Sequence, residues 1–599
     1  MRGLPLQNWR PILTAAGLLG FNLSASFLTA EETGAASSVP IEPVSGITNP
    51  SERPAESAES NVLRQEILNL IPGDRHYREE LADALTQAYS GRGFRPLWSE
   101  GVKLDSLHRE ICASLNSHAL PEPMALDPSN IAAGIQTDIV AREDLAASIA
   151  ILDAALLIRL GHVPTEMIWP QWNSEDTPGE DARDFDSIAN DLIRAASLTP
   201  FDMGRIMDEM GPKNWIYREL RKAYPEAKKS ILSYSGLPGI PDPATAGVGK
   251  PGEAYPYATA IGAHLVDRGY LEMPEEQLAA LSQITPELET ALKAFQEDHG
   301  LDADGVFGPA SWRYLNTNAA SRFRSIVINL NRARLLPADF GERYILVNLP
   351  SAELYGFEDH DFHTTTMRIV HGKAEKDTHH TPVFRDVMKE VVFGPYWNVP
   401  PSIAEKEILP KAQGDWGFLS RNRYEIVSDF NPYNKDTHRL SPQNLELVAQ
   451  GRLFFRQLPG PTNSLGRVKF LFPNNNNIYM HDTPAKALFA RSNRDYSHGC
   501  IRVAKPQELG AYVLGAQGWT SEEVKEAMFA ESRKSEQVDK DINIFIVYFT
   551  TFPRPVLGGK IVMAPGRDVY DLDPIDSKTL SAVLPWVEPD NPTSPSDGQ

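Results

Sequence analysis

The sequence predicts a multidomain α+β chain, in which a helical region precedes a small three-helix domain and a β-rich domain. Three observations carry that reading. At 599 residues the chain is too long for a single core. Apolar residues recur at helical spacing from Asn61 to about Ser235, whereas beyond Arg343 they gather into short strand-like runs. Between these regimes Pro238–Tyr257 is rich in proline and glycine, the residues that punctuate a chain at boundaries.

The amino terminus has the pattern of an export signal over residues 1–30. Arg2 and Arg10 are followed by a mostly apolar run from Ile12 to Leu28 and then by Thr29-Ala30-Glu31-Glu32. Leu28 is not the small residue that a cleavage site prefers, so an uncleaved signal anchor is the alternative. No cysteine ends the run, which speaks against a lipoprotein anchor. A formal charge of -21 argues against nucleic acid as a partner and against a basic membrane-binding patch. Export usually brings disulfides, but Cys112 and Cys500 are the only two cysteines. Cys112 sits in a helical pattern and reads as a buried structural thiol, so both thiols are expected to be free.

Residues 31–60 are rich in Ser, Pro, Glu, Ala and Gly and read as a disordered linker. Residues 61–237 read as a helical domain: Val62, Leu63, Ile67, Leu70 and Ile71 keep helical spacing, as do Leu145, Ile149, Leu152 and Leu156. Phe94-Arg95-Pro96-Leu97-Trp98 reads as a packed corner. In residues 258–317, Thr285-Pro286-Glu287-Leu288 has the signature of a capped helix start. The glycines of Asp304-Gly305-Val306-Phe307-Gly308 then turn the chain into a last short helix near Ser311–Leu315. Residues 318–341 should hold a connecting helix.

From residue 342 to 553 strands are expected at Arg343–Leu354, Met367–Val370, Val391–Phe393, Gly466–Phe472, Ile478–His481 and Asn543–Thr550. Helices are expected at Ser402–Leu409 and Pro506–Leu514, and Thr520-x-x-Glu523 opens another as a capping box. The stretch of about 400–456 interrupts this pattern. It reads as long, polar and irregular, too rich in Asn, Asp, Arg and Tyr for a core, and therefore as a lid over a site. His371, His379 and His380 cluster without ligand spacing and read as a polar loop, so neither a metal nor a cofactor is expected. Residues 554–584 extend the domain, and residues 585–599 read as a disordered tail.

The chemistry concentrates in Tyr496-Ser497-His498-Gly499-Cys500-Ile501-Arg502, with His481 upstream at the end of a strand. A cysteine is a useful nucleophile as thiolate and needs a base or a positive charge nearby. Gly499 lets the backbone turn beside the sulfur so that consecutive N–H groups can point at one oxyanion. This constellation resembles the signature of the L,D-transpeptidase (YkuD-like) catalytic domain. The resemblance extends to Phe393–Ala404, Leu465–Phe470, His481-Asp482-Thr483-Pro484 and Val569–Asp573. These stretches are similar to the large periplasmic branch of the family, which joins a helical scaffold domain, a peptidoglycan-binding domain and a β-rich catalytic domain with a capping lid. Asn331-Arg332-Ala333-Arg334-Leu335-Leu336-Pro337 departs from it, since the family tends to have tryptophans there.

The resemblance implies that Cys500 attacks the tetrapeptide stem, expels its terminal D-alanine and carries a thioester, with His481 as base. It implies backbone N–H groups around His498, Gly499 and Cys500 as the oxyanion site, Ser497 and His498 as positioning residues, and Tyr479 and Trp397 as substrate contacts. Arg502 is left between a substrate carboxylate and a structural salt bridge. Peptidoglycan, as tetrapeptide donor and amine acceptor stems, is the implied partner, with cell-wall synthesis proteins as further candidates. The periplasm is the implied location, and carbapenems are implied to acylate Cys500. An L,D-carboxypeptidase and a non-catalytic wall-binding scaffold are the competing readings.

Overall fold

The computed structural model describes residues 57–573, apart from 99–102, 121–123, 162–167, 170–184, 197–201, 233–236, 361, 376–378, 432–435, 531 and 556–560. The export signal, the linker up to Glu56 and the tail lie outside the described residues. The first helix, Ala58–Leu70, starts just inside the stretch read as linker, because the Ser57 hydroxyl accepts the Ser60 N–H and caps it. No helix among the described residues is long and apolar enough to cross a membrane.

The helical region is built around Arg142–Leu160, which is buried along nearly its whole length and is apolar on every face. Of its two buried acids, Asp144 and Asp153, the latter is matched by Arg75 at 2.9 Å. In the first turn of this helix, the Asp144 carboxylate accepts the N–H groups of Leu97 and Trp98 at 2.9 and 3.0 Å. The Trp98 indole donates to Ser148, so this tryptophan is a core residue. Cys112 is half-buried and near His108, a correction to the fully buried position expected of it; neither cysteine is in a disulfide.

The small domain packs helices Ala258–Asp267, Pro286–Asp298 and Pro309–Leu315 around one apolar cluster. The Thr285 hydroxyl caps the second helix at the Leu288 N–H. The preceding Pro/Gly stretch proves to be part of this domain rather than a spacer. Bridges tie Gly249 to Phe307, Pro251 to Ile284 and Ala254 to Gln283, and Ile240 and Tyr255 enter the core. Its turns carry the prolines and glycines, and its few large side chains carry the packing.

The connecting helix, Ala319–Ala333, shows what stands where tryptophans were expected. Arg332 is fully buried and meets Asp573 at 2.8 Å, while Arg334 donates to the carbonyls of Ile158 and His118. Polar bonds between domains replace aromatic packing there.

The β-rich domain is built on one 11-stranded sheet, beside which the lid and a last hairpin form sheets of four and two strands. Its strands are β1 (Tyr344–Asn348), β2 (Glu353–Glu358), β3 (Phe362–Gly372), β4 (Phe384–Val387) and β5 (Glu390–Phe393). After the lid strands β6 (Trp397–Asn398), β7 (Tyr424–Val427), β8 (Thr437–His438) and β9 (Phe454–Gln457) come β10 (Val468–Leu471) and β11 (Met480–His481). The chain closes with β12 (Asp495–Ser497), β13 (Ile501–Val503), β14 (Lys534–Gln537) and β15 (Asn543–Val547), then the hairpin β16 (Thr551–Pro555) and β17 (Ile561–Pro565). The sheet order is β14-β5-β10-β11-β13-β3-β2-β1-β15-β4, with β12 beside β3. The strand expected over Arg343–Leu354 is two strands, because Pro350 and a positive φ at Ala352 turn the chain into an antiparallel hairpin.

The lid corrects the sequence reading most. It is not irregular: β6-β9-β7-β8 form a sheet, and Val399, Ile408, Leu409, Ala412, Leu419, Ile426, Leu445 and Phe455 form a separate apolar core. Its polar residues face outward and hid that core. Where it leaves the sheet, Pro401–Ile403 runs into a π-helical turn, Ala404–Ile408, and then Leu409–Gly414.

Candidate active site

Strand pairing places five functional groups on one face. Lys469 on β10 lies opposite His481 on β11, and His481 pairs in parallel with Arg502 on β13. Side chains alternate along a strand, so Tyr479 shares the face of His481, and Cys500, just before β13, shares that of Arg502. The alternate residues Val468, Phe470, Met480, Ile501 and Val503 are buried in the core on the other face. The active face is thus a consequence of period two in strands whose other face is wholly apolar.

The β10–β11 turn is locked by Asn474. Its Oδ1 accepts the N–H groups of Asn476 and Ile478, and its Nδ2 donates to the carbonyls of Phe472 and Ile478. This holds the Asn477 carbonyl 3.7 Å from the Cys500 sulfur. The thiol is half-buried and faces that carbonyl; no hydrogen bond joins it to His481. Burial raises the Cys500 thiol above its ordinary value on balance, although hydrogen bonding from Tyr479 and the charges of Lys469 and Arg502 pull it partly back.

His481 is buried, and its Nδ1 meets the Asp482 carbonyl at 2.5 Å. A carbonyl only accepts, so Nδ1 carries the proton and Nε2 is left as the basic atom. Burial first, and the nearby Arg502 guanidinium second, push the imidazole down to about 3, so it is neutral at physiological pH. The Asp482 carbonyl is itself fixed: its carboxylate accepts the N–H groups of Arg467 and Thr483 and the Lys486 ammonium.

Ser497 braces the loop, its hydroxyl donating to the Cys500 carbonyl at 2.6 Å and accepting the Gly499 N–H at 3.1 Å. Gly499 has φ +118, and a Cβ there would come within 3.2 Å of Ile478. Its N–H is therefore occupied by Ser497, a correction to its expected place among the oxyanion donors. Gly499 supplies the turn, and the N–H groups of His498 and Cys500 meet no acceptor among the described residues.

His498 reaches into the lid, its Nε2 lying 3.0 Å from Glu407 in the π-helical turn, and stacks edge-on with His379. Arg502 forms no ion pair among the described residues, and its Nε is buried without a partner. Trp397 packs within the lid against Tyr424. Behind the loop, Thr381 donates to the Gly499 carbonyl at 2.6 Å and accepts the Gly372 N–H. The Tyr570 hydroxyl donates to the Gly372 carbonyl at 2.9 Å, accepts the Thr381 N–H at 3.1 Å and lies 3.0 Å from His371 Nδ1. The Tyr570 ring stacks on His380 at 3.9 Å. His371 and His380 thus belong to the wall that supports the loop. Sequence reasoning missed Thr381, Tyr570, Glu407 and the Asp482 carboxylate; only Tyr570 and Asp482 fell in stretches already marked by resemblance.

Comparison with known families matches residues 342–525 to the "L,D-transpeptidase catalytic domain". Its β-rich domain is thus similar to an L,D-transpeptidase catalytic domain. Residues 83–223 match the "Scaffold domain" and residues 259–315 the "Putative peptidoglycan binding domain". A curated relative, the "Putative L,D-transpeptidase" of Haemophilus influenzae, is 30% identical over 253 residues, covering 42% of this chain and 48% of that protein. The match therefore spans about half the length of the relative. A solved structure from Clostridium acetobutylicum, a "fused Zn-dependent amidase/peptidase/peptodoglycan-binding domain-containing protein", covers 50% of this chain and 99% of its own. It is 14% identical with a TM-score of 0.14.

Proposed function

We propose that the protein is an L,D-transpeptidase that cross-links peptidoglycan stem peptides through a thioester on Cys500. The observation that carries this is the face shared by Cys500 and a neutral His481 whose Nδ1–H is committed to the Asp482 carbonyl. The Cys500 thiol turns from Asn477 and gives its proton to His481 Nε2 as sulfur attacks the carbonyl of the third stem residue. The N–H groups of His498 and Cys500 hold the oxyanion. Collapse breaks the amide bond, the imidazolium protonates the departing D-alanine amine, and the thioester remains. An amine from a neighbouring stem then attacks the thioester and gives a proton to His481. The new amide forms and the thiol is released.

Arg502, with no carboxylate partner of its own, receives a carboxylate of the donor, and Tyr479 walls the same face. Trp397 acts through the lid. The lid, tied to His498 by Glu407, keeps water from the thioester, so that hydrolysis (the carboxypeptidase outcome) loses to the amine. The substrate places the protein outside the cytoplasm, consistent with the amino-terminal pattern, and the small domain holds it to the wall. A carbapenem acylates the same cysteine. Incubation of the full chain with disaccharide-tetrapeptides, read by mass spectrometry, should give D-alanine and cross-linked dimers that Cys500→Ala does not form. Dimers formed by that variant would end this reading.

A further inference from the structure

A thiolate in this site needs a counter-charge, and the imidazole is poorly placed to be it. His481 is buried, already donates from Nδ1 and lies beside the Arg502 guanidinium, so a resting thiolate–imidazolium pair is disfavoured. Arg502 also acts on the thiol, but in the function proposed above it is taken up by a donor carboxylate once substrate binds. The remaining cation on this face is Lys469. Its strand register puts it opposite His481, and its Nζ stands 3.8 Å from the centre of the Tyr479 ring. It forms no ion pair among the described residues, although acids outnumber bases by 79 to 58 in the chain. An ammonium kept unpaired over an aromatic face is held by the ring quadrupole, and it draws electron density from the phenol, making the hydroxyl a stronger donor.

We infer that Lys469 is a positioning residue for the reaction proposed above, easing the ionisation of the Cys500 thiol directly by charge and through the Tyr479 hydroxyl. The groups facing the thiol are Lys469 on β10, Tyr479 just before β11, His481 on β11, and Arg502 on β13. From the lid comes Glu407, which pairs with His498, and from β5 Glu390, whose charge acts on Lys469. Of these, Lys469 is the cation with neither an acid partner nor a substrate to hold. Burial lowers the lysine somewhat, and the Cys500 charge supports it, as reciprocal stabilisation requires. The arrangement divides the work: Lys469 eases the loss of the Cys500 proton, and His481 receives that proton as the sulfur attacks.

The test uses the full chain with Cys112→Ser, leaving Cys500 as its one thiol, and follows iodoacetamide alkylation from pH 5 to 10 by intact mass. Lys469→Met should move the thiol titration up by about one unit, an alkylation rate about tenfold lower at pH 7 with an unchanged plateau at high pH. Lys469→Arg, which keeps the charge, should recover most of the rate, and Tyr479→Phe should show part of the shift. Superimposable pH profiles for the parent and Lys469→Met overturn the inference. So does a Lys469→Arg variant as slow as Lys469→Met with a parental melting temperature, because that is the behaviour of a packing residue. Should Lys469→Met fail to fold, Lys469→Arg and Tyr479→Phe decide alone: parental profiles in Tyr479→Phe and a slow Lys469→Arg refute it. Alkylation reads the thiol without turnover, so failure here is distinct from failure of the transpeptidase reading, which Cys500→Ala tests.

Discussion

Tyr570→Phe removes one oxygen from the wall behind the catalytic loop, and its consequence can be worked from the contacts. The hydroxyl serves three partners: the Gly372 carbonyl, the Thr381 N–H and His371 Nδ1. Gly372 O and His371 Nδ1 also face each other at 3.1 Å, so each keeps a contact when the oxygen is gone. The buried Thr381 N–H keeps none. An unsatisfied buried donor costs about 1–3 kcal/mol and each lost neutral bond about 0.5–1.5 kcal/mol, so a local loss of about 2–4 kcal/mol is expected. The ring still stacks on His380, which keeps the site folded. Thr381 passes the loss to the Gly499 carbonyl, and acylation of Cys500 should slow about tenfold, the equivalent of roughly 1.4 kcal/mol of positioning. Hydrogen exchange read by mass spectrometry over peptides spanning Thr381 and Gly499 measures the first effect, and the intact-mass rate of acylation the second. Parental exchange in those peptides, with an unchanged acylation rate, would refute the account of this wall.

Three further outcomes follow from the same geometry. His481→Ala should lower turnover by about 10²–10⁴, the size of a general-base contribution, measured as dimer formation from tetrapeptide; a loss below tenfold would move the role to His498. Burial pushes His371 down to about 4 and His481 to about 3, so the unfolded chain binds more protons than the native one below about pH 6.5. Stability from these two groups is complete above that pH and is lost as pH falls toward 4, by up to about 2–3 kcal/mol in all at pH 5.5; a urea midpoint for the catalytic domain higher at pH 5.5 than at pH 7.5 would contradict this. Glu407→Gln removes the carboxylate that meets His498 between lid and loop, a partly exposed contact worth about 0–1 kcal/mol. Acylation should persist while hydrolysed product rises a few-fold relative to dimer, and a parental product ratio would show that this contact does not hold the lid.

The parts of the fold legible in the sequence were those governed by local rules. Thr285 and Thr520 cap their helices as their side chains dictate, and period two in Ile478–His481 delivers His481 to the face of Cys500. Asn474–Asn477 reads as a turn because asparagine bonds its own backbone. What stayed hidden depends on distant partners. The lid core draws on residues scattered from Val399 to Phe455, none of which forms a periodic run on its own. Thr381 and Tyr570 act on the loop from far along the chain, and a threonine or tyrosine in isolation carries no such signal. Gly499 was marked correctly as a turn but not as a residue whose N–H is spent on Ser497, since that bond exists only in the folded loop.

The central claim is that Cys500 carries the acyl group, and intact mass of the full chain during turnover tests it most directly. Mixed with excess tetrapeptide donor and quenched in acid, the protein should gain the mass of the donor less D-alanine, located by proteolysis on the peptide holding Cys500. Addition of an amine acceptor should discharge it with formation of the cross-link. Turnover with no such adduct in the parent, or the same adduct on Cys500→Ala, would contradict the account.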